Sequence, residues 1–342
     1  MSDLRDRHER PLGTLRLSIT DRCNLRCHYC MPEDEYVWLP QPSILTVDEI
    51  DRVVRAFASH GVREVRLTGG EPMLRKEVVE IVERVRAVTG IEEVTLTTNG
   101  LLFARHAAEL RRAGLARVTF SLDTLRPDRA LKLTRTTRLE DTIAAIEGAA
   151  SHGFRGTKIN SVIVRGENDD EIVDLLRFGE RAGVEVRFIE YMDVGGATQW
   201  RPERVIGKAE MLARIESAMG PTKPHGAIGP APAARFVTEG GTVFGIVSST
   251  TEPFCARCDR ARVTADGVLF TCLYAASGID LATRLRAGDD DAMIASLIAS
   301  VWTGRADRGA EDRARIAVRE DVLIPAAQLK RDPHREMHTR GG

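Results

Sequence analysis

The stretch that decides the fold is residues 15–30, LRLSITDRCNLRCHYC, in which an apolar run leads into three closely spaced cysteines. Leu15–Ile19 has the length and apolar character of a β-strand, and the polar residues 20–22 follow it. The cysteines of this first triplet have the spacing C-x3-C-x2-C: Cys23, Cys27 and Cys30. The stretch therefore predicts a group of thiols directly after the first strand of a sheet.

A second triplet lies in the last third of the chain, with the spacing C-x2-C-x13-C: Cys255, Cys258 and Cys272. The chain has six cysteines, so none lies between the two triplets. Buried small side chains or disulfides are the simplest interpretations of cysteine pairs. Disulfides are rare in a reducing cytoplasm, however, and tight cysteine groups there are more typical of metal sites.

Zinc and iron–sulfur clusters are the two candidates for these sites. A structural zinc ion takes four protein ligands, and His28 is the nearest fourth ligand for the first triplet. The second triplet has no histidine between His225 and His334. A four-iron cluster that is held by only three cysteines leaves one iron open to a small molecule. Two three-cysteine sites therefore favour reactive metal sites over purely structural ones.

Short apolar runs alternate with amphipathic segments over roughly the first 200 residues. The predicted strands are Leu15–Ile19, Glu64–Leu67, Glu93–Leu96, Arg117–Phe120, Lys158–Val164 and Glu185–Ile189. The predicted helices are one beginning at a capping box, Thr46-Val47-Asp48-Glu49, then Lys76–Val88, Phe103–Ala113, Leu139–His152 and Asp170–Ala182, the last with Asn168 as its cap. This alternation predicts a parallel sheet, either doubly wound or an incomplete barrel, because six units are too few for a full (βα)8 barrel.

Polar segments follow five of the six predicted strands, at residues 20–23, 68–72, 97–100, 121–123 and 191–193. In barrels the active site lies at the carboxyl ends of the strands. We therefore expect the five segments to meet at one mouth.

Residues 201–342 have a different pattern, and we expect them to form a second region after a barrel domain of residues 1–200. Gly220–Ala234 is rich in Pro, Gly and Ala and predicts a loop, Phe236–Val247 predicts a β-hairpin, and Asp289–Trp302 predicts a helix. The sequence ends in a polar tail with Gly341-Gly342.

The composition is that of a globular protein: 342 residues, 43% hydrophobic and 29% charged, with a net charge of −1. No apolar run reaches the roughly 18 residues of a membrane span, and residues 1–13 lack the apolar core of a secretory signal. The charge shows no basic excess of the kind that nucleic-acid-binding proteins usually carry. We expect a cytoplasmic protein that binds neither membrane nor nucleic acid.

The motifs also match a known family. The first triplet, with Tyr29 before its last cysteine, and Gly69-Gly70-Glu71-Pro72 after the second strand resemble the signature of the radical S-adenosylmethionine enzymes. LRLSITDRCNLRCHYCMP, VRLTGGEPMLR, LTTNG, SLD, RFIEYMDVG, the second triplet with its Arg-Ala-Arg, and the final Gly-Gly are similar to one branch of that superfamily, the GTP 3′,8-cyclases that open molybdopterin synthesis.

This resemblance implies an incomplete TIM-type (βα)6 barrel with a C-terminal α+β extension that carries a second cluster. It implies two [4Fe-4S] clusters and S-adenosylmethionine as cofactors, and GTP as substrate. The cofactor supplies a 5′-deoxyadenosyl radical that takes a hydrogen from C3′ of GTP, and C3′ then bonds to C8 of guanine.

The resemblance also assigns roles to single residues. Cluster ligands are Cys23, Cys27, Cys30, Cys255, Cys258 and Cys272. S-adenosylmethionine contacts are Tyr29, Gly70, Ser121 and Met192. GTP contacts are Arg16, Arg66, Thr97, Lys158, Arg260, Ala261 and Arg262, and Gly341 and Gly342 enter the active site for catalysis.

The implied partners are an electron donor, a downstream cyclic pyranopterin monophosphate synthase, and a second copy of the chain in a homodimer. Lys132–Thr137 and Arg305–Arg315 depart from the family pattern and are expected to be surface variation. Two alternatives stay open: a peptide-modifying radical S-adenosylmethionine enzyme with an auxiliary cluster, and a non-catalytic zinc-binding module.

Overall fold

The computed structural model describes residues 4–227 and 229–341, and within them twelve strands form one sheet. The strands are β1 (Thr14–Ser18), β2 (Glu64–Thr68), β3 (Glu93–Thr98), β4 (Arg117–Ser121), β5 (Lys158–Ile163), β6 (Glu185–Glu190), β7 (Thr222–Pro224), β8 (Ala234–Thr238), β9 (Val243–Val247), β10 (Arg260–Val263), β11 (Val268–Phe270) and β12 (Ile279–Asp280). The α-helices are α1 (Val47–Ala58), α2 (Val78–Ala87), α3 (Phe103–Arg112), α4 (Pro127–Thr134), α5 (Leu139–Gly148), α6 (Ile172–Ala182), α7 (Lys208–Met219), α8 (Leu281–Arg286), α9 (Asp291–Thr303), α10 (Gly309–Ala314) and α11 (Ala326–Arg331).

Strands β1 to β6 are parallel neighbours in chain order, and each is followed by at least one helix. Thr14 pairs with Glu64 and Glu64 with Glu93, so the first three strands start in register. A right-handed series of six such units curls into part of a barrel. The predicted incomplete (βα)6 barrel is confirmed.

Strands from the C-terminal region extend this sheet at both edges. Strand β10 pairs in parallel with β1, and β9 pairs in parallel with β6. The antiparallel strands β11 and β12 continue one edge, and β8 and β7 continue the other. The sixth barrel helix, α7, also lies after residue 200. The division at residue 200 therefore stays a prediction, because the two regions share one sheet.

The strands place apolar and charged side chains on opposite faces. In β1, Leu15 and Leu17 are fully buried in the main hydrophobic core, whereas the intervening Arg16 lines the central cavity. Side chains alternate across a strand, so the outer face of the barrel packs against the helices while its inner face stays polar. Each fully buried aliphatic side chain contributes about 2 kcal/mol to folding.

Most predicted elements are confirmed, including all six barrel strands to within a few residues. The capping box forms as expected: the Glu49 N–H donates to Thr46 Oγ1 at 3.2 Å, and the Thr46 N–H donates to Glu49 Oε2 at 2.8 Å. The elements that were not predicted are helices α4, α7, α8, α10 and α11 and strands β7, β10, β11 and β12. The predicted cap at Asn168 is wrong, because its side chain instead bonds Val164 N and the backbone oxygens of Asp123 and Val162.

Candidate active site

The inner face of the barrel encloses a cavity of about 640 Å³. Both cysteine triplets line it, although more than 220 residues of sequence separate Cys30 from Cys255. The other predicted site residues that line it are Arg16, Tyr29, Arg66, Gly70, Thr97, Ser121, Lys158, Met192, Arg260 and Arg262. The structure therefore brings nearly the whole predicted set to one chamber.

The two glycines of the second loop let that loop lie directly against the first-triplet loop. Gly70 N donates to the backbone oxygen of Thr20 at 2.9 Å, and a Cβ on Gly70 would lie 2.3 Å from the oxygen of Arg22. Gly69 has φ +148°, and its added Cβ would lie 2.3 Å from Thr20 O. No side chain fits at either position. Because the Gly70 N–H is already used, its carbonyl is the backbone group left for a cofactor.

A segment that departs from the family pattern covers the other side of the first-triplet loop. Arg26 N donates to Thr134 O at 3.1 Å, and His28 N donates to Leu133 O at 3.0 Å. Leu133 is 2% exposed, and Thr134 lines the cavity. The expectation that Lys132–Thr137 is only surface variation is therefore wrong, because its backbone supports the cysteine loop.

The first-triplet thiols lie in surroundings that disfavour their charged form. Burial raises the pKa of Cys23 to about 11. Burial, followed by the charge of Asp123, raises the pKa of Cys27 well above its usual range, and burial also raises that of Cys30. Thiolates in such a place need a strong positive partner, and iron supplies one. The donor chemistry of the first triplet therefore fits a metal cluster.

Two buried carboxylates organise the loops around the first triplet. The Tyr29 hydroxyl donates to Asp123 Oδ2 at 2.7 Å, and burial raises the pKa of Asp123 to about 6. Glu71 accepts hydrogen bonds from Asn99 N at 2.7 Å and from Met73 N at 3.0 Å, and burial raises its pKa to about 7. These two carboxylates therefore hold in place the loops that carry predicted S-adenosylmethionine contacts.

Met192 lies on a loop that a buried carboxylate holds in place. Asp193 is 1% exposed and receives hydrogen bonds from Arg319 Nη2 at 2.6 Å and from Arg313 Nη1 at 3.2 Å. The Tyr274 hydroxyl also donates to Asp193, at 3.3 Å. Asp193 therefore ties the Met192 loop to the second-triplet loop, to α10 and to the segment that follows α10.

The second triplet has a more cationic environment than the first. Arg260 Nη2 donates to Cys258 Sγ at 3.3 Å. Burial alone would raise the pKa of Cys258, but Arg260 and Arg305 outweigh it and bring the pKa to about 6. Burial raises the pKa of Cys255. A thiol stabilised as thiolate is ready to bind metal, so this donor set fits a cluster as well.

Three guanidinium groups reach the cavity without a carboxylate within ion-pair distance in the described chain: Arg16, Arg260 and Arg262. The pKa of Arg16 is lowered well below its usual range by burial and then by Arg262, Arg260 and Arg66. The Arg16 Nε is buried and has no hydrogen-bond partner in the described chain. Buried cations that repel one another need an anion between them.

Two further predicted cations lie on barrel strands: Arg66 is at the middle of β2, level with Arg16, and Lys158 begins β5. Arg66 donates to Glu64 Oε1 at 2.8 Å and to Thr119 Oγ1 at 3.3 Å. Lys158 has its pKa lowered to about 8, first by burial and then by Arg187 and Arg117. The sequence interpretation missed these two arginines, which also line the cavity. Their positions in β4 and β6, two residues from other cavity-lining side chains, could have revealed them.

The C-terminal tail packs against residues that line the cavity. Arg262 Nη1 donates to the backbone oxygens of Arg340 at 3.2 Å and Gly341 at 2.8 Å. Gly341 has φ +66°, and a Cβ there would lie 2.4 Å from Thr68 Cγ2. The His338 backbone also hydrogen-bonds to Cys30. Gly341 is therefore packed against Arg262 and Thr68, two residues that line the cavity, while Gly342 lies outside the described residues.

Two sequence expectations need further comment. The Ala261 side chain is fully buried in the outer core and does not line the cavity, so only its backbone remains for a substrate. Arg305 is 4% exposed, and Arg313 contacts the buried Asp193. Surface variation is therefore the wrong interpretation of Arg305–Arg315 as well, because some of its arginines hold the interior together.

The described ranges 4–227 and 229–341 contain no group of three His, Cys, Asp or Glu side chains that could hold a single metal ion. A four-iron cluster is larger than one ion, and its ligands lie further apart. None of the helices in these ranges is long and apolar enough to span a membrane.

Comparisons with known proteins identify the family. Residues 17–179 match the Radical SAM superfamily, and residues 184–311 match Molybdenum Cofactor Synthesis C. The chain is 50% identical to GTP 3′,8-cyclase 3 of Mycobacterium bovis over 345 aligned positions, which cover 100% of this chain and 91% of that protein. The chain belongs to the GTP 3′,8-cyclase family.

Other members of the family are nearly as similar. GTP 3′,8-cyclase 1 of Mycobacterium tuberculosis is 48% identical, with 99% of this chain and 95% of that protein covered. GTP 3′,8-cyclase of Aquifex aeolicus is 41% identical, with 99% and 100% covered. The crystal structure of Streptococcus suis SuiB superposes with a TM-score of 0.50 at 20% identity, over 61% of this chain and 46% of that one. That last likeness concerns the fold alone.

Proposed function

We propose that this protein converts GTP to (8S)-3′,8-cyclo-7,8-dihydroguanosine 5′-triphosphate, the first step of molybdopterin biosynthesis. The observation that supports it best is the shared cavity. Two cysteine triplets line one chamber of about 640 Å³ together with three guanidinium groups that have no carboxylate partner among the residues the structure describes. Such a chamber suits a radical source on one side and a polyanionic substrate on the other.

The first triplet and its loops would hold the radical source. Cys23, Cys27 and Cys30 would bind one [4Fe-4S] cluster. When bound, this cluster and S-adenosylmethionine supply the radical that takes the hydrogen from C3′ of GTP. The protein orients the cofactor through the backbone of Tyr29 and Gly70, and through the cavity-lining side chains of Ser121 and Met192.

The cationic wall would hold the triphosphate. Arg16, Arg260 and Arg262 offer guanidinium forks, which suit phosphate oxygens and orient them. Arg66 and Lys158 extend the charge along the barrel, and the remaining proposed contacts are the Thr97 hydroxyl and the Ala261 backbone. Because these side chains are buried or half-buried, their charges are screened less than surface charges and favour a polyanion.

The second triplet would hold the base. Cys255, Cys258 and Cys272 would bind a second [4Fe-4S] cluster, with the guanine ring beside its open position. Gly341 would complete the active site between the two clusters because only a residue without a side chain fits beside Thr68. We extend the same role to Gly342.

The proposed setting is the reducing cytoplasm, where free thiols can bind iron. An electron donor reduces the first cluster, and the product passes to a cyclic pyranopterin monophosphate synthase. We propose a homodimer that binds neither membrane nor nucleic acid, with the barrel in residues 1–200 and the second cluster region in residues 201–342.

The first experiment is anaerobic. The protein is loaded with iron and sulfide and then given S-adenosylmethionine and a strong reductant, with and without GTP. We expect 5′-deoxyadenosine to rise with GTP, together with a cyclised GTP product. Cleavage that ignores GTP would favour a peptide-modifying enzyme instead. A colourless protein that binds zinc and no iron would favour the non-catalytic module.

A pair of variants separates the two triplets. Cys27→Ala should abolish 5′-deoxyadenosine formation because the first cluster loses a ligand. Cys272→Ala should weaken GTP binding while S-adenosylmethionine still binds at the first triplet. If Cys272→Ala binds GTP as well as the unmodified protein does, the second triplet is not the substrate anchor.

A further inference from the structure

Three buried charged side chains form an ion-pair group beside the second triplet, which we call the arginine bracket: Asp6, Arg10 and Arg305. Their side chains are 0%, 2% and 1% exposed. Arg10 Nε donates to Asp6 Oδ2 at 2.6 Å, and Arg305 Nη1 donates to the same oxygen at 3.3 Å. The bracket therefore joins the first residues of the chain to the segment after α9.

Both arginines of the bracket also bind the backbone of proposed cluster ligands. Arg10 Nη1 donates to the backbone oxygen of Cys255 at 2.8 Å. Arg305 Nη1 donates to the backbone oxygen of Cys258 at 2.8 Å. Two of the three second-triplet cysteines are thus held by buried guanidinium groups, and nothing in the proposed function uses these contacts.

The surroundings fix the bracket firmly. The Arg305 guanidinium lies 4.4 Å from the centre of the Trp302 ring, and Trp302 Nε1 donates to Arg10 O at 3.2 Å. Arg10 Nη1 also donates to Asp307 O at 2.9 Å, and the Asp307 carboxylate lies 3.9 Å from Arg305 Nε. A cation stacked on a ring and bonded to carbonyls has little freedom to move away.

The bracket also reaches the cavity. Arg10 and Arg305 both line it, together with the second triplet. Arg10 Nη2 and Arg305 Nε are buried donors without a hydrogen-bond partner in the described chain. The potential of an iron–sulfur cluster depends on nearby charge and on hydrogen bonds around its sulfurs. Two positive groups that are bonded to the backbone of Cys255 and Cys258 will therefore act on a cluster held by these cysteines.

We propose that the arginine bracket positions the second-triplet loop and that its guanidinium charges raise the reduction potential of the cluster bound there. A positive charge near a cluster stabilises the reduced, more negative state. Asp6 opposes this effect while it holds the two arginines together. The inference rests on the proposed function, because it takes Cys255, Cys258 and Cys272 as cluster ligands.

The test isolates the second cluster in the full-length chain. A parent variant carries Cys23→Ala, Cys27→Ala and Cys30→Ala, so only the second triplet can bind a cluster. Arg305→Met, Arg305→Lys and Asp6→Asn are each introduced separately into this parent. Arg315→Met is the matched control, since the Arg315 side chain is 74% exposed and lies in the same segment. Each protein is loaded with iron and sulfide, its iron is counted, and its potential is measured by redox titration with EPR detection.

We expect Arg305→Met to move the potential to a more negative value and Asp6→Asn to move it to a more positive one. Arg305→Lys should stay closer to the parent than Arg305→Met does, and Arg315→Met should match the parent. Opposite signs for the two charge changes identify an electrostatic effect, which a loss of structure alone would not produce. If Arg305→Met does not load a cluster, Asp6→Asn still reports the sign.

Two results would overturn the inference in distinguishable ways. If Arg305→Met and Asp6→Asn both load iron and keep the potential and EPR signal of the parent, the bracket has no influence on the cluster. If the parent itself binds no iron–sulfur cluster, the proposed second cluster fails first, and the bracket proposal fails with it.

Discussion

Arg262 and Gly341 are joined by a hydrogen bond of 2.8 Å from the guanidinium Nη1 to the backbone oxygen. Arg262 is one of the cations proposed to bind the triphosphate, whereas Gly341 belongs to the tail. The same guanidinium therefore holds the tail and lines the cavity that is proposed to bind GTP. A substitution of either residue will therefore alter the hydrogen bonding of the other.

Gly341→Ala should separate binding from cyclisation. The added methyl would lie 2.4 Å from Thr68 Cγ2, and the φ of +66° is unfavourable for alanine. We expect the Kd for GTP to change by less than roughly threefold, under 1 kcal/mol. Cyclised product should fall about 100-fold, as is usual when reacting groups are misplaced by about 1 Å. Isothermal titration and product analysis measure the two quantities.

Gly183→Ala is the matched control, because Gly183 has nearly the same φ, +67°, and no atom within 4 Å of an added Cβ. It should carry the backbone strain without the steric clash and keep cyclisation. Full cyclisation by Gly341→Ala would contradict the proposal that Gly341 completes the active site.

Arg340→Met should loosen the tail from the second-triplet loop. Arg340 Nη1 donates to Leu273 O at 2.7 Å and Ala275 O at 2.8 Å, and its guanidinium lies 4.0 Å from the centre of the Phe270 ring. Loss of these charged hydrogen bonds should lower the free energy of unfolding by about 2 kcal/mol. The ratio of cyclised product to 5′-deoxyadenosine should also fall, because the radical forms without the tail in place.

The exposed Arg331→Met serves as the control for Arg340→Met. Thermal unfolding and single-turnover product ratios give the comparison. An Arg340→Met protein with an unchanged product ratio would show that Arg262 alone is enough to place the tail.

The affinity for GTP should fall as the pH rises through about 8. Burial lowers the pKa of Lys158 to about 8, so this side chain is charged below that pH and neutral above it. At pH 9 only about a tenth of it is charged, which limits the loss to about tenfold if the charge is required. Lys158→Arg stays charged throughout and should lack this part of the pH profile. The ratio of the two Kd values at each pH removes the contribution from the titration of GTP itself. If the two proteins show parallel pH profiles, Lys158 does not belong to the phosphate site.

Asp193→Asn should weaken the cofactor side of the site. It removes a buried carboxylate that two arginines share, which typically lowers the free energy of unfolding by about 3 kcal/mol. The KM for S-adenosylmethionine should rise because the Met192 loop loses its anchor, whereas the exposed Asp128→Asn should change neither quantity. An unchanged KM together with lowered stability would limit Asp193 to a structural role.

The sequence predicts the barrel well because its signals are local. Each strand is a short apolar run, and five of the six have a polar segment after them, so β1 to β6 could be predicted without knowing their partners. The cysteine spacing is also local, which is why both triplets were found. Arg16 and Arg66 face the cavity because side chains alternate along a strand, and they were found through the family resemblance. Arg117 and Arg187 line the cavity in the same way and were missed.

Long-range contacts explain the remaining errors. Nothing near Arg305 in the sequence indicates that it meets Asp6 and Cys258, and nothing near Leu133 indicates that its backbone supports the first-triplet loop. A segment that departs from a family pattern looks like surface until its partners are known. The pairing of β10 with β1 is non-local in the same sense.

The placement of β10 and β9 at opposite edges of the barrel has a consequence for biogenesis. Proteins are made from the N-terminus, so β1 and β6 emerge from the ribosome long before the strands that cover them. During that interval both edges expose unpaired backbone, which invites aggregation or chaperone binding. The two triplets share a finished chamber only after translation has passed Cys272. A ribosome stalled near residue 240 would therefore leave a chain with an open barrel, because neither β9 nor β10 would have been made.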